Sequence, residues 1–227
     1  LCLGDSRVEG DANFESYRYD FWKDLVDCSW DFDLVGTIND PLSYPAYQNK
    51  TFDPNHEGIG GYTTTDVLED LPEILSSLGK IDMVLLGIGG NDALEGGSNS
   101  IPTAIANINS IIDLLQSNNP NILILLEQIA PGMSNIMTAD LTQALNDLNS
   151  RILTVANNQT NGSSRVIVVD MATGWQDSYL ADEVHYNSTG AELVATRYSN
   201  ALKSLFDCEN SGGGDNKGCT YETINTN

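Results

Sequence analysis

The residues with the most chemistry to offer are a serine near the start of the chain and a histidine near its end. Ser6 stands in Gly4-Asp5-Ser6, and His185 closes the run Asp182-Glu183-Val184-His185. An aspartate three residues before a histidine can turn back on a short loop and accept from its Nδ1–H. Nε2 is then left facing outward as a base. A serine nucleophile needs such a base, a group that orients the base, and donors for the oxyanion that forms on attack. Asp182 would hold the tautomer and stabilise the imidazolium. His185 must be uncharged to take the serine proton, so activity is expected to rise with pH as it loses its charge.

The segment Gly87-Ile88-Gly89-Gly90-Asn91-Asp92 follows the most apolar run of the chain. Its glycines permit a tight turn and a close approach of substrate to backbone. The Asn91 amide can donate to an oxyanion, and Asp92 can fix the turn by accepting from backbone N–H groups. No Lys-Ser/Thr follows, which excludes a phosphate-binding P-loop, and the glycine spacing excludes a dinucleotide fingerprint. No cofactor site and no metal cage is read from the sequence.

These groups need a frame that brings distant segments together. Apolar runs at Leu1–Leu3, Phe32–Val35, Asp82–Ile88, Ile122–Leu126 and Val166–Val169 have strand length. Helical spacing predicts helices over Phe14–Val26, Thr65–Leu78 (capped by Thr64 or Thr65), Ile101–Gln116, Thr138–Ala156 and Ser188–Leu205. Residues 37 to 62 are expected to form a long, functional loop. Strands alternating with helices predict a three-layer, doubly wound α/β/α fold on a five-stranded parallel sheet. Ligands bind such folds at the C-terminal strand ends. Ser6, Asn91, Asp92, Asp182 and His185 each follow a predicted strand, so one rim collects them.

The 227 residues suit one catalytic domain over residues 1–206, followed by a Gly- and Asn-rich tail over 207–227. The formal charge of −22 leaves no basic patch for nucleic acid or anionic lipid. No apolar run reaches membrane-spanning length. Four cysteines without a Cys-x-x-Cys pair point to disulfides in an oxidising compartment, not to zinc. Cys208–Cys219 is the first candidate pair, with Cys28 as rival partner for either and Cys2 a candidate buried thiol. Sequons begin at Asn49, Asn158, Asn161 and Asn187. The first strand is short by a few residues, so a cleaved signal is expected upstream. A secreted monomer is the resulting expectation.

Taken together, the motifs resemble the GDSL, or SGNH, hydrolases. Gly4-Asp5-Ser6 resembles their first block, Gly61 matches the glycine of the second, Gly89-Gly90-Asn91-Asp92 resembles the third, and Asp182–His185 resembles the last. The order agrees over nearly the whole chain to about residue 206. The resemblance implies a flavodoxin-like SGNH fold, with Ser6 as nucleophile, His185 as base and Asp182 as its orienter. It also implies an oxyanion hole from the Ser6 N–H, the Gly61 N–H and the Asn91 side chain.

His56-Glu57-Gly58-Ile59-Gly60-Gly61-Tyr62 is similar to a stretch of carbohydrate esterase family 3, whose members deacetylate xylan. In that likeness His56 and Glu57 order the long loop. Arg7-Val8-Glu9 departs from the usual Ile/Leu-Thr-x after the serine. Gly60 stands where Ser is common, Gly90 where Thr is common, and Tyr186 where Pro often follows the last histidine.

Tyr44, Tyr47, Tyr62, Trp175 and Tyr186 are candidate platforms for a sugar ring, through their apolar faces. The expected substrate is an acetylated polysaccharide such as xylan, or another small ester. The alternatives are an SGNH lipase or thioesterase acting on other acyl esters, and a non-catalytic glycan-binding protein.

Overall fold

The protein was described from a computed structural model, which places residues 1–208. The tail beyond that point, and the pairing expected for Cys219, lie outside the described residues. The strands are β1 (Cys2–Gly4), β2 (Ile38–Asn39), β3 (Asn55–Gly58), β4 (Met83–Gly87), β5 (Leu123–Gln128) and β6 (Arg165–Asp170). The helices are α1 (Ser6–Glu9), α2 (Arg18–Asp27), α3 (Thr64–Leu78), α4 (Gly90–Gly96), α5 (Ile101–Asn118), α6 (Ala139–Gln159) and α7 (Ser188–Lys203).

They form a six-stranded sheet in the order β2-β3-β1-β4-β5-β6. All neighbours are parallel except β2, which runs antiparallel on the edge of β3. From β1 the chain steps to β3 on one side and then to β4 on the other. The switch opens a crevice at the C-terminal end of β1.

Alternation along the strands builds the two faces. Leu3, Val84, Leu86, Ile124 and Leu126 point into a core closed by α3, α5 and α6. Cys2, Leu85, Leu123 and Leu125 point the opposite way, onto α2 and α7. Both faces of the central strands are covered, which is why Met83–Leu86 of β4 and Leu123–Leu126 of β5 are apolar without interruption. Truncating a fully buried position such as Leu86 is expected to cost about 2–5 kcal/mol.

The sheet differs from the sequence expectation at the second strand. Phe32–Val35 is not a strand, and β3 takes the place beside β1. The backbone near residues 34–37 is held by side chains instead of a ladder. Leu34 N–H donates to Asp53 at 2.9 Å, Asn55 Nδ2 donates to the Gly36 carbonyl at 3.1 Å, and Thr37 N–H donates to Glu57. The polar sequence of β3, Asn-His-Glu-Gly, therefore serves the loop while its backbone pairs with Leu3 and Gly4. The long loop thus contains β2 and β3.

Two helix starts and the disulfide pairing also differ. The second helix begins at Arg18, not Phe14, because Asp11 accepts from Phe14 N–H at 3.2 Å and Glu15 N–H donates to the Tyr186 carbonyl at 2.9 Å. Those donors are committed to a turn before the helix starts. The cap of α3 is Thr63, which forms a capping box with Asp66. Cys208 pairs with Cys28, not Cys219, across 180 residues. Cys28 ends α2, which packs on α7, so the chain beyond α7 passes within reach of it. Cys2 is a buried free thiol.

Candidate active site

Ser6 opens α1 immediately after β1. The turn requires a glycine at position 4, since a Cβ there would lie inside contact distance of the Gly87 carbonyl and of Val8. Asp5 caps α1 by accepting from Arg7 N–H at 3.0 Å. As the first helical residue, Ser6 has a backbone N–H with no carbonyl available within its own helix.

The His185 imidazole is bonded through both nitrogens. Nε2 lies 2.8 Å from Ser6 Oγ, and Nδ1 lies 2.8 and 3.0 Å from the two Asp182 oxygens. Asp182 Oδ1 also accepts from the backbone N–H of Val184 at 2.9 Å and of His185 at 2.8 Å. One carboxylate therefore shapes the loop and orients the ring. Burial tends to raise the Asp182 pKa, but the two backbone N–H groups and the imidazole hold it below its ordinary value. An Nδ1–H directed at Asp182 leaves Nε2 as acceptor for the serine proton.

The other expected donors lie around the same turn. Gly61 has φ +81°, and nothing stands within 4 Å of where its side chain would be, so the space beside its Cα is open. Its neighbour Gly60 abuts Ser6, with the Ser6 Cβ 3.9 Å from an ideal Gly60 Cβ. Asn91, in the first turn of α4, donates one amide hydrogen to the Tyr62 carbonyl at 2.9 Å. That bond fixes the side chain and leaves the second amide hydrogen free. Asp92 is buried and accepts from the Thr64 N–H at 2.9 Å and hydroxyl at 2.6 Å, which ties the start of α3 to α4. Beside Asn91, a cavity of about 30 Å³ is lined by Arg7, Ile129, Leu141, Leu145 and Val184.

The aromatic platform is not assembled as expected. Tyr186 is 1% exposed, lies under the Arg7 guanidinium and directs its hydroxyl toward buried Glu127, so its faces are closed to a sugar. Tyr44 stacks on Tyr19, meets Phe52 edge-on and donates to Asp40 at 2.7 Å. Tyr47 donates to Asp27 at 2.8 Å. Both close the small core of Trp22, Val26, Leu34 and Phe52. Tyr62 is partly exposed, beside Gly61, with its hydroxyl on Asp70. Trp175 is partly exposed and packs against Tyr179 and Tyr186.

His56 is buried in β3, where Nδ1 accepts from the Gly58 N–H at 3.0 Å. Burial, helped by the Arg18 charge, pushes its pKa down to about 4, so it stays neutral.

Sequence reasoning missed two side chains at the site. Phe14 lies flat on the His185 ring, with centroids 3.8 Å apart and planes 14° apart. Arg18, 1% exposed, pairs with Asp40 at 2.7 Å and donates to the carbonyls of Val8 and Glu9 at 2.8 and 2.7 Å, bracing the end of α1. A charged residue within the apolar spacing of α2 was the available signal for Arg18.

A serine, a doubly bonded histidine and an oriented carboxylate at the switch point of a doubly wound sheet define a hydrolase site. The chain belongs to the GDSL-like lipase/acylhydrolase family, whose sequence profile matches residues 2–193. It is therefore an esterase-type hydrolase of the GDSL, or SGNH, class.

The structure is similar to that of a carbohydrate esterase family 3 protein from Talaromyces cellulolyticus. Identity is 25% and the TM-score 0.75, covering 90% of this chain and 96% of that one. An acetyl esterase mutant with acetate ion is similar at 25% identity and TM-score 0.76, with the same coverage of 90% and 96%. A Clostridium thermocellum family 3 carbohydrate esterase shares the fold at 22% identity and TM-score 0.70, covering 90% and 96%. No curated protein matches the chain by sequence.

Proposed function

We propose that the protein is a secreted serine esterase that removes acetyl groups from a carbohydrate, acetylated xylan or a similar hemicellulose, through an acyl-enzyme on Ser6. The observation that carries this reading is the His185 ring, bonded at once to Ser6 Oγ at 2.8 Å and to Asp182 at 2.8 Å.

Ser6 Oγ attacks the ester carbonyl and its proton passes to His185 Nε2. The tetrahedral oxyanion is met by the N–H groups of Ser6 and Gly61 and by the free Asn91 amide hydrogen. Each such donor contributes about 3–4 kcal/mol of barrier lowering. Collapse breaks the ester bond, and the sugar hydroxyl leaves with the proton from His185. Water then gives a proton to His185 as its oxygen bonds the acyl carbon; the acyl–Oγ bond breaks, His185 returns the proton to Ser6 Oγ, and acetate leaves.

The pocket beside Asn91, lined by Ile129, Leu141 and Leu145, is small, which supports a short acyl group such as acetyl. The likeness to family 3 carbohydrate esterases and to an acetyl esterase supports a sugar ester. Secretion is supported by the Cys28–Cys208 disulfide, which persists in oxidising compartments. The exposed sequon asparagines Asn49, Asn158 and Asn161 add to it.

The test is acetate release from acetylated xylan, comparing wild type with Ser6→Ala, alongside a series of esters of rising acyl length. Release that depends on Ser6 and falls as the acyl chain grows is expected. Equal release by Ser6→Ala would remove the nucleophile. An optimum at long chains would remove the acetyl assignment.

A further inference from the structure

Arg7 occupies the position directly after the nucleophile, where an aliphatic residue is usual in the motif it resembles. Its side chain is half-buried and leaves the nucleophile turn to meet two other loops. Nε donates to the Val184 carbonyl at 2.8 Å, and Nη1 donates to the Ala130 carbonyl at 2.6 Å. Nη2 lies 3.4 Å from the Pro131 carbonyl. The guanidinium carbon stands 5.1 Å from the centroid of the Tyr186 ring, which flanks His185 on its other side in sequence.

Val184 immediately precedes His185, and residues 130–131 follow the end of β5. One planar fork therefore joins the serine turn, the histidine loop and the exit of β5. All three carbonyls lie outside the regular ladder and need donors. The fixed geometry of a guanidinium satisfies several of them at once, which a lysine ammonium on a flexible stem does not.

The His185 loop has few other ties to the serine turn. Asp182 braces it from within, by bonds to its own Val184 and His185 N–H groups. The Met133 N–H reaches it at the Glu183 carbonyl, 2.8 Å away. None of these comes from the serine turn, whose own tie to the loop is the Ser6–His185 bond that the loop must hold in register. Arg7 supplies a second, independent link, and the residue also lines the small pocket beside Asn91. The guanidinium further faces the buried carboxyls of Asp5 and Glu127, and opposes the rise that burial imposes on both.

We propose that Arg7 is a positioning residue: it latches the Asp182–His185 loop and the 130–131 segment onto the nucleophile turn, and so holds His185 Nε2 in register with Ser6 Oγ. The inference rests on the esterase reading of the site. It assigns a task to the residue at which this chain departs from the usual motif.

Geometry of this kind acts on the chemical step. A displacement of the base by about 1 Å costs on the order of 100-fold in rate. The experiment compares wild type, Arg7→Ala, Arg7→Lys and, as a control on a distant exposed ion pair, Arg151→Ala, on a chromogenic acetate ester. Arg7→Ala is expected to lose about 10- to 100-fold in kcat with KM changed by less than about threefold. Non-denaturing guanidinium chloride should restore a substantial part of that loss, while sodium chloride at equal ionic strength should not. Arg7→Lys should fall between the two, and Arg151→Ala should match wild type.

A kcat for Arg7→Ala equal to wild type would overturn the proposal, as would a loss that guanidinium leaves untouched. Should Arg7→Ala fail to fold, Arg7→Gln keeps an amide donor and gives the same reading. Failure of both to fold would overturn it as well, by making Arg7 a determinant of folding and not of register. Absence of Ser6-dependent activity in wild type would instead strike the esterase reading itself.

Discussion

The Phe14 ring lies face to face with the His185 imidazole, centroids 3.8 Å apart. Phe14 is held by two bonds with Asp11, one from its own N–H at 3.2 Å and one into its carbonyl at 3.0 Å. The turn is pinned further by Glu15 N–H on the Tyr186 carbonyl. A flat ring on one face, with Asp182 and Ser6 at the two nitrogens, leaves the imidazole little freedom to rotate about its ring axis. The face of a benzene ring also favours a cation, so the imidazolium formed on proton transfer is stabilised by about 0.5–1 kcal/mol. Phe14→Ala is therefore expected to lower kcat/KM by about two- to fivefold, and Phe14→Tyr to keep most of it. Steady-state rates on a short-chain ester decide it. Equal rates for Phe14→Ala and wild type would mean that the stack is only a surface contact.

Asp182 carries two tasks that substitution can separate. Asp182→Asn keeps an oxygen for the Val184 and His185 N–H groups, so the loop should hold and the melting temperature stay near that of wild type. The carboxylate that fixes the tautomer is gone, and a loss of about 100- to 10,000-fold in kcat is expected. Asp182→Ala removes the backbone acceptor as well and should melt earlier. Thermal melts beside kcat for both variants make the test. Comparable kcat for Asp182→Asn and wild type would show that orientation comes from elsewhere, with Phe14 the first suspect.

The sequence made some of this site readable and hid the rest for physical reasons. Ser6 and Asn91 stand at junctions where an apolar run stops or a glycine turn begins, and Asp182 and His185 lie in the loop between β6 and α7, so their placement on one rim follows from the βα alternation. The frame was legible wherever both faces of a strand are buried, as over Met83–Leu86 in β4 and Leu123–Leu126 in β5, since that burial demands an apolar run. β3 was not legible: Asn55, His56 and Glu57 carry no apolar pattern, and they enter the sheet because their side chains satisfy the loop that precedes them. Phe14 was absorbed into the helical spacing of its neighbours. Its real place depends on Asp11 and on a contact 171 residues away in sequence, which no local pattern encodes. Tyr186 was read as a cleft residue from its position after His185, but the chain turns inward there to start α7.

Glu127 gives a pH-dependent stability. It is 4% exposed and accepts from the Tyr198 hydroxyl at 2.9 Å. Burial raises its pKa from 4.5 to about 7, against the opposing pull of Arg7 and Tyr198. The folded state therefore keeps a proton that the unfolded state has released once the pH passes 4.5. Its contribution is complete below 4.5 and is lost as the pH climbs through about 7, a span worth about 3 kcal/mol. Glu127→Gln has no such proton to lose. Relative to wild type, the variant should gain about 2–3 kcal/mol in unfolding free energy between acid conditions and about pH 8. Denaturant titrations of both proteins across that window measure it. Curves that run parallel would mean that Glu127 ionises in the folded state as readily as in the unfolded one.

The Cys28–Cys208 bridge closes a loop of 180 residues. In the chain-entropy account a loop of that length restricts the unfolded state by about 5 kcal/mol. Part of that is redundant here, because the same ends already meet through noncovalent contacts. Tyr198 packs on Tyr17 and Phe21, Ser199 donates to Asp24 at 2.5 Å, and Trp30 Nε1 donates to the Asp207 carbonyl at 2.8 Å. Reduction should then cost about 2–4 kcal/mol, or a fall of about 5–15 °C in melting temperature. Neither cysteine touches Ser6, His185 or Asp182, so ester hydrolysis well below the transition should survive the reductant. Melts with and without dithiothreitol, and the same pair for Cys28→Ala, separate the bridge from side effects of the thiol: the reductant should lower the wild-type transition and leave that of Cys28→Ala unmoved. A wild-type transition that ignores reduction would mean that the packing of α2 on α7 alone holds the end of the chain.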